Sequence, residues 1–539
     1  MHTNILRTLV ITLVTLLAGS HIANAQGRLT PIPHPIGYPQ RAPAQAEAST
    51  AGPWTPLKNQ PNFLVDGSAN PILMMDGSVL VQDAGFPDWW KLTPDQNGSY
   101  VNGTWTQVAS LPSGYSPLYH SSAVLPDGKL IIEGGEYLCD PTTFQCNPVW
   151  TNLGAIYDPK KDHWKSVNPP AGWTTIGDAQ SVVLPDGTFM QANCCTTQSA
   201  LLNPKSLTWT ATGMGKYDPN DEEGWNLLPN GKVLAVDAYV PIAPFPYKPK
   251  GKNFELYDPS TGDWSVAGET PVQLWDSWLT CGRLSQEPNA GPTFELGPGV
   301  LRQNGTLFYA GSNTCPNESG ATAIYDYRVN SWKKGPDFPG TNNISDGPAA
   351  LEVNGDVLLM ASPGYGDPPS TFFEWDGKNL TAVPGTPNAP TDGSYFGNML
   401  VLPTGQILLT DFSDDIEIYT STGGPKPEWA PTVVSVSQTL KTGSTYKVTG
   451  YLFNGLSQGA FYGDDVQAAT NFPLVRIKNM QSGHIQYCRA HHPSTMAVAS
   501  TELNWVHFDV PSNLETGASQ LEVVANGIAS SPVSVTITN

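Results

Sequence analysis

Apolar and polar positions along this chain recur as one motif, a small turn ending in glycine followed by a run of apolar β-formers. It occurs seven times, as MMDGSVLVQDAG, LPDGKLIIEGG, LPDGTFMQAN, LPNGKVLAVDA, RQNGTLFYAGS, EVNGDVLLMAS and LPTGQILLTDF, with turn glycines Gly77, Gly128, Gly187, Gly231, Gly305, Gly355 and Gly405. Asp-Gly or Asn-Gly between apolar segments marks a hairpin, because so tight a turn needs positive φ. Most units also carry an upstream strand ending on an aromatic residue, as in TWTQV, YDPKKDHWKSV, NPKSLTWTAT, YDPSTGDWSV and YDYRVNSWKKG. From Trp54, Trp105, Trp164, Trp209 and Trp332 to the next turn glycine is 23, 23, 23, 22 and 23 residues. Each unit thus supplies four strands. Seven such units, none able to bury its faces alone, predict an all-β fold whose main body is a seven-bladed β-propeller over residues 53–430.

Trp54 carries the outermost-strand pattern yet precedes the first complete unit, so it is expected to complete the seventh blade. Trp264 to Gly305 is 41 residues, an insertion that contains LWDSWLTCGRLSQEPNAGPTFELG. Insertions in repeat folds fall in loops, where ligands are commonly bound. After Trp429 the period changes to short alternating runs such as TVVSVS, TYKVTGYLF, PLVRIKN and SQLEVVAN, which predict a second all-β domain, a sandwich over residues 431–539.

Composition narrows the reading. Gly 52 and Pro 50 in 539 residues, with charged residues at only 14%, disfavour long solvated helices, and aromatics at 10% are too many for a disordered chain. The formal net charge of −20 repels phosphate backbones and anionic lipid, which argues against nucleic acid and membrane surfaces as partners. At the start, Arg7, the apolar run from Leu9 to Ala18 and Ala23-Asn24-Ala25 read as a signal peptide over residues 1–25, cut before Gln26. A Pro- and Ala-rich linker follows over 26–52, and no later segment has the length and apolarity to insert in a membrane. The expected location is secreted, in the periplasm or outside the cell. Seven cysteines in such a compartment imply disulfides and one spare thiol. Cys139 and Cys146 flank a short loop and are expected to pair. Cys281 with Cys315 is a further candidate pair, and adjacent Cys194 and Cys195 form either a vicinal bridge or two separately partnered thiols. Cys-x-x-Cys spacing is absent, which argues against structural zinc.

In a propeller of this kind the residue nine positions before each turn glycine enters the innermost strand at the central mouth. Those residues are Ser68, Tyr119, Asp178, Glu222, Leu296, Asp346 and Phe396. The same face should carry loops with Trp89 and Trp90, Tyr137, Trp150 and Tyr239. Aromatic rings around a few convergent polar groups are how sugar-sized ligands are held. The bland reading has weight too, since channel acids are often merely hydrated and tryptophans at blade spacing are commonly core. Asp178, Glu222 and Asp346 also have the donor type for a divalent cation or for the acid and base of glycoside cleavage.

At this level the chain, from residue 54 to its end, resembles the galactose oxidase and kelch family. That resemblance implies a seven-bladed propeller with a C-terminal immunoglobulin-like domain and, in the oxidases, a copper-radical site. YHSSAVLPDGKLIIEGG is similar to the segment of the redox tyrosine, here Tyr119, and SYFGNMLVLPTGQILL to that of the axial tyrosine, here Tyr395. CRAHHPSTMAVAS resembles the C-terminal loop that sends a histidine into the propeller, with His491 the better match and His492 the alternative. The departures are specific. Ser68 lies near where the family's cross-linking cysteine falls, Phe396 replaces the histidine after the axial tyrosine, and Tyr137 stands for the stacking tryptophan. His120 reads as a packed or surface histidine.

Two tyrosines and one histidine make a poor tetragonal copper site, so copper is disfavoured as a cofactor. The leading expectation is a propeller mouth that binds a saccharide or similar polyol, through Tyr119, Tyr137, Asp178, Glu222, Asp346, Tyr395 and His491, with the oxidase site lost. One alternative is a copper-dependent oxidase of alcohols, aldehydes or sugars with an altered ligand set, using Tyr119, Tyr395 and His491. The other is an extracellular module that binds a protein partner.

Overall fold

The structure, a computed structural model, describes residues 52–63, 67–143, 145–220, 222–238, 252–275, 295–312, 318–364, 366–463 and 466–539. The signal peptide, the linker up to residue 51, Tyr239, Cys281, Cys315 and most of the Trp264 insertion lie outside the described residues.

The regular structure is almost wholly β, and its larger part is seven antiparallel sheets, six of four strands and one whose four central strands are joined by two short ones. Six are built from consecutive chain, within residues 68–107, 121–167, 181–212, 225–269, 299–334 and 349–383. The seventh takes three strands from 398–419 and its fourth from Trp54–Pro56, which pairs with Glu417–Tyr419. First strands of consecutive sheets lie side by side from the second sheet to the seventh, and Asn398–Val401 of the seventh also meets Ser68–Leu73 of the first. The sheets are therefore arranged radially around an axis, as in a propeller.

Local chemistry accounts for this layering. Each turn glycine has positive φ, from 76° at Gly77 to 98° at Gly355, a region that L side chains rarely adopt. Second strands such as Val79–Asp83 and Leu130–Glu133 are buried along their whole length, as continuous apolar runs require. Outer strands such as Thr104–Gln107 and Thr208–Thr212 face solvent with Trp105 and Trp209 turned partly inward. The tryptophans that set the sequence period all fall in fourth strands. Trp89 and Trp90, expected in mouth loops, instead lie in the third strand of the first sheet, Trp89–Thr93. Trp89 is fully buried, with its ring 5.6 Å from that of Trp164. Its role is packing.

Residues 432–538 form a nine-stranded arrangement folded back on itself. The strand Ile485–His491 pairs with Leu474–Asn479 through its first half and with Asn504–Asp509 through its second, so it passes from one face of the module to the other. The module shares its apolar core with the ring, since Phe453, Ala460 and Phe472 belong to the same buried cluster as Leu400 and Val401. One short strand leaves it altogether. Ala460–Phe461 pairs antiparallel with Ala349–Leu351, the first strand of the sixth sheet.

Cys139 and Cys146 are bridged across a hairpin, Cys194 and Cys195 are bridged to each other, and Cys488 is a buried thiol whose ionisation burial opposes. Among the described residues no helix is long and apolar enough to cross a membrane.

Candidate functional site

The seven residues nine positions before the turn glycines all sit at one end of the ring, each at or just before its inner strand. At three of them the backbone is left-handed although the residue is not glycine: Tyr119 at φ 49°, Glu222 at 50° and Asp346 at 59°. Such conformations are unfavourable for side-chain-bearing residues and concentrate at binding sites.

The mouth divides by chemistry. On the side of the second and seventh sheets it is aromatic. The Tyr119 ring lies 6.2 Å from Tyr137, 6.1 Å from Phe412 and 6.4 Å from Tyr462, centroid to centroid. Phe396 continues the group, 5.8 Å from Phe412 and 4.3 Å from Tyr395. The sequence already placed Tyr119, Tyr137 and Tyr395 here. Phe412 and Tyr462 it did not. Phe412 follows the second strand of the seventh sheet, again in a left-handed conformation at φ 57°, at a position where the other repeats carry small or polar residues. Tyr462 comes from the C-terminal module, and its hydroxyl donates to the Tyr395 carbonyl at 2.8 Å.

The other side carries the acids Asp178, Glu222 and Asp346 on the third, fourth and sixth sheets. Gly463, next to Tyr462, lies close to Asp346, Leu296 and Gly224. A Cβ on Gly463 would lie 2.8 Å from the Leu296 carbonyl and 3.4 Å from an Asp346 carboxylate oxygen, and a Cβ on Gly224 would meet the Gly463 carbonyl at 1.9 Å. Residues 460–463 therefore enter the mouth as a tongue held by backbone pairing, with Tyr462 beside the Tyr119 ring and Gly463 beside the Asp346 carboxylate. The close approach makes a prediction. Gly224 lies outside the left-handed region, so its own backbone tolerates alanine, and Gly224→Ala acts only by pushing against the tongue. Overpacking of this kind costs about 1–3 kcal/mol, and thermal melting should register it. Unchanged melting would mean that the tongue is not seated there.

His491 is not brought to this group. It ends the strand Ile485–His491, its Nε2 lies 3.2 Å from Asp509 and its Nδ1 is 2.7 Å from Nδ1 of His492. The His492 amide donates to the Pro126 carbonyl, at the turn end of the strand Ser121–Val124, whereas Tyr119 precedes the other end of that strand. Seven residues of near-extended chain separate the two ends, roughly 20 Å. His492, the alternative, shares that location. The part of the C-terminal module that enters the mouth is the FYG of residues 461–463. His120 is buried between the first and second sheets, with its ring nitrogens 3.0 Å from Gln82 Oε1 and 3.1 Å from the Ser121 carbonyl, and burial lowers its pKa to about 4. It is neutral and packed.

No family model matches the chain. A stretch of 135 residues, 25% of this chain, is 27% identical to a kelch-like protein, terF, of Aspergillus terreus, and spans about a quarter (27%) of that protein's length. Among solved structures the chain is similar to a fungal alcohol oxidase of the AA5 family in complex with copper, with a TM-score of 0.48 and 13% identity over 90% of this chain and 99% of that one. It is also similar to virginiamycin B lyase of Staphylococcus aureus, with a TM-score of 0.43 and 9% identity over 68% of this chain and all (100%) of that one.

Proposed function

We propose that this chain is a secreted, galactose-oxidase-like kelch propeller whose mouth binds a neutral saccharide or similar polyol without copper-radical chemistry. The observation that carries this reading is the grouping of Tyr119, Tyr137, Phe412 and Tyr462 at the same end of the ring as the carboxylates Asp178, Glu222 and Asp346. A pyranose has an apolar face that stacks on an aromatic ring and hydroxyls that donate to carboxylates, and the mouth offers both. The disulfides of Cys139 with Cys146 and Cys194 with Cys195 suit an oxidising compartment.

Copper does not fit the side chains gathered at the mouth. Tyr119, Tyr395 and Tyr462 offer phenol oxygens, Phe396 and Phe412 offer only carbon, and His491 and His492 belong to the far end of the inner strand. Imidazole nitrogen, which a tetragonal copper site requires, is lacking among the described mouth residues. The tongue brings Tyr462 to the proposed pocket. Its Tyr462 hydroxyl is held by the Tyr395 carbonyl, so the Tyr462 ring is fixed before a ligand arrives, and less side-chain freedom is lost on binding.

The test is binding of the purified protein across a broad glycan panel. Saturable binding is expected, weakened about tenfold by Tyr119→Ala, which removes one stacking contact of about 1.4 kcal/mol. A folded protein that binds no glycan would overturn the proposal. Hydrogen peroxide release after copper loading, with sugars, primary alcohols or aldehydes, would overturn its second half and favour an oxidase with another ligand set.

A further inference from the structure

Beneath the acidic side of the mouth, in the fourth sheet, five ionisable side chains are buried together. The loop before the sheet supplies Lys216, Asp218 and Glu223, the end of the second strand supplies Asp237, and the third strand supplies Glu255. All five are buried, and the four carboxylates are essentially inaccessible to solvent. The Lys216 ammonium lies 2.6 Å from Glu255 and 3.0 Å from Glu223, and also pairs with Asp218. A Gln180 amide donates to Glu223 at 3.1 Å. This leaves Asp237. Neither of its carboxylate oxygens has a hydrogen-bond partner, although the residue is 0% exposed.

One ammonium against four buried carboxyl groups leaves three of them without a positive counter-charge. Buried charges persist when paired or when they coordinate a metal. Lys216 turns to Asp218, Glu223 and Glu255, so its ion pairs do not satisfy Asp237. Asp218, Asp237 and Glu255 each offer a ligand oxygen, and these oxygens all lie within 4.8 Å of one another. Three carboxylate oxygens this close can share one hard divalent cation such as calcium, whose oxygen ligands lie at about 2.4 Å. Carboxylate oxygen is also the hard donor that such cations prefer over copper or zinc.

The geometry points to a structural site for a hard divalent cation, held by Asp218, Asp237 and Glu255 and bridged through Asp218 and Glu255 to the Lys216 ammonium. The ion would offset that shortage and fix the loop that carries Lys216, Asp218 and Glu223. That loop leads into Glu222, so the cation would brace the acidic side of the mouth from behind. This site stands independently of what the mouth binds.

The experiment uses the whole purified chain, stripped with a chelator and then dialysed against calcium chloride. One equivalent of calcium per chain is expected, with a higher melting temperature than in the stripped protein, and Asp237→Asn should reduce uptake at least tenfold. A second probe locates the ion without altering a ligand. The Lys216 ammonium is 5.5 Å from the centre of the Trp264 ring, so terbium bound in its place should luminesce on tryptophan excitation and be displaced by calcium. Trp264→Phe should keep calcium uptake and weaken that emission, the remainder coming from Trp225, whose ring lies 5.3 Å from that of Trp264. A folded wild-type chain that takes up no stoichiometric calcium, magnesium or manganese would overturn the site. So would full uptake by a folded Asp237→Asn variant, or terbium emission unchanged by Trp264→Phe.

Discussion

Trp54→Ala should destabilise the protein by about 3–5 kcal/mol, the range for removing a buried large aromatic side chain. Trp54 is only 8% exposed, and its ring meets both Phe372 and Tyr419 edge-on at 4.9 Å. Its indole nitrogen donates to the Pro384 carbonyl at 2.7 Å, on the neighbouring sixth sheet. The three-residue strand Trp54–Pro56 has little else to hold it, since Thr55 and Pro56 are exposed. The indole is thus the anchor by which the start of the described chain joins the strand Glu417–Tyr419 and completes the seventh sheet. Loss of the anchor leaves that sheet with three strands and an open edge. Trp54→Phe keeps most of the ring packing and loses the hydrogen bond, for a smaller cost of about 1 kcal/mol. Urea unfolding of the two variants checks the assignment. A Trp54→Ala variant that unfolds with the wild-type midpoint would show that closure through this strand carries no stability.

That the closing strand was legible at all follows from how local its signals are. Trp54 stands at the same distance from Gly77 as Trp105 from Gly128, and the turn glycines need only their own backbone to express positive φ. Signals that depend on distant chain were not legible in the same way. Tyr462 and Gly463 enter the mouth because Ala460–Phe461 pairs with a strand more than a hundred residues earlier, and nothing in FYGDD announces that pairing. CRAHHP carried the stronger family resemblance, yet its strand register sets His491 opposite His507 and takes it to the far end of the ring. Which loop of the C-terminal module reaches the axis is decided by docking. The Lys216 group was invisible for a related reason, because its five members are spread over residues 216–255 and meet only when two strands and a loop converge. Asp178, Glu222 and Asp346 could be placed at the mouth from the repeat alone, since a position within a repeat is itself a structural coordinate.

Raising the pH from about 4.5 to about 8 should weaken the wild type steadily relative to Glu352→Gln. Glu352 lies in the sixth sheet, immediately after the strand Ala349–Leu351, and is 1% exposed. Burial, with Glu374 and Asp356 nearby, raises its pKa from an ordinary 4.5 to about 8. The folded state therefore holds a proton that the unfolded chain releases more readily. Its contribution to stability is fully present below pH 4.5, falls through the interval between the two pKa values, and is gone above about 8. At 1.36 kcal/mol per unit, the whole interval corresponds to about 5 kcal/mol as an upper figure. Glutamine keeps the shape and the neutral charge and does not titrate, so it removes this slope while leaving other titrations in place. The difference in melting temperature between the variant and the wild type should grow from pH 4.5 to 8 and then level off. Parallel melting curves for wild type and Glu352→Gln across this range would mean that the Glu352 carboxyl ionises in the fold as freely as it does in water.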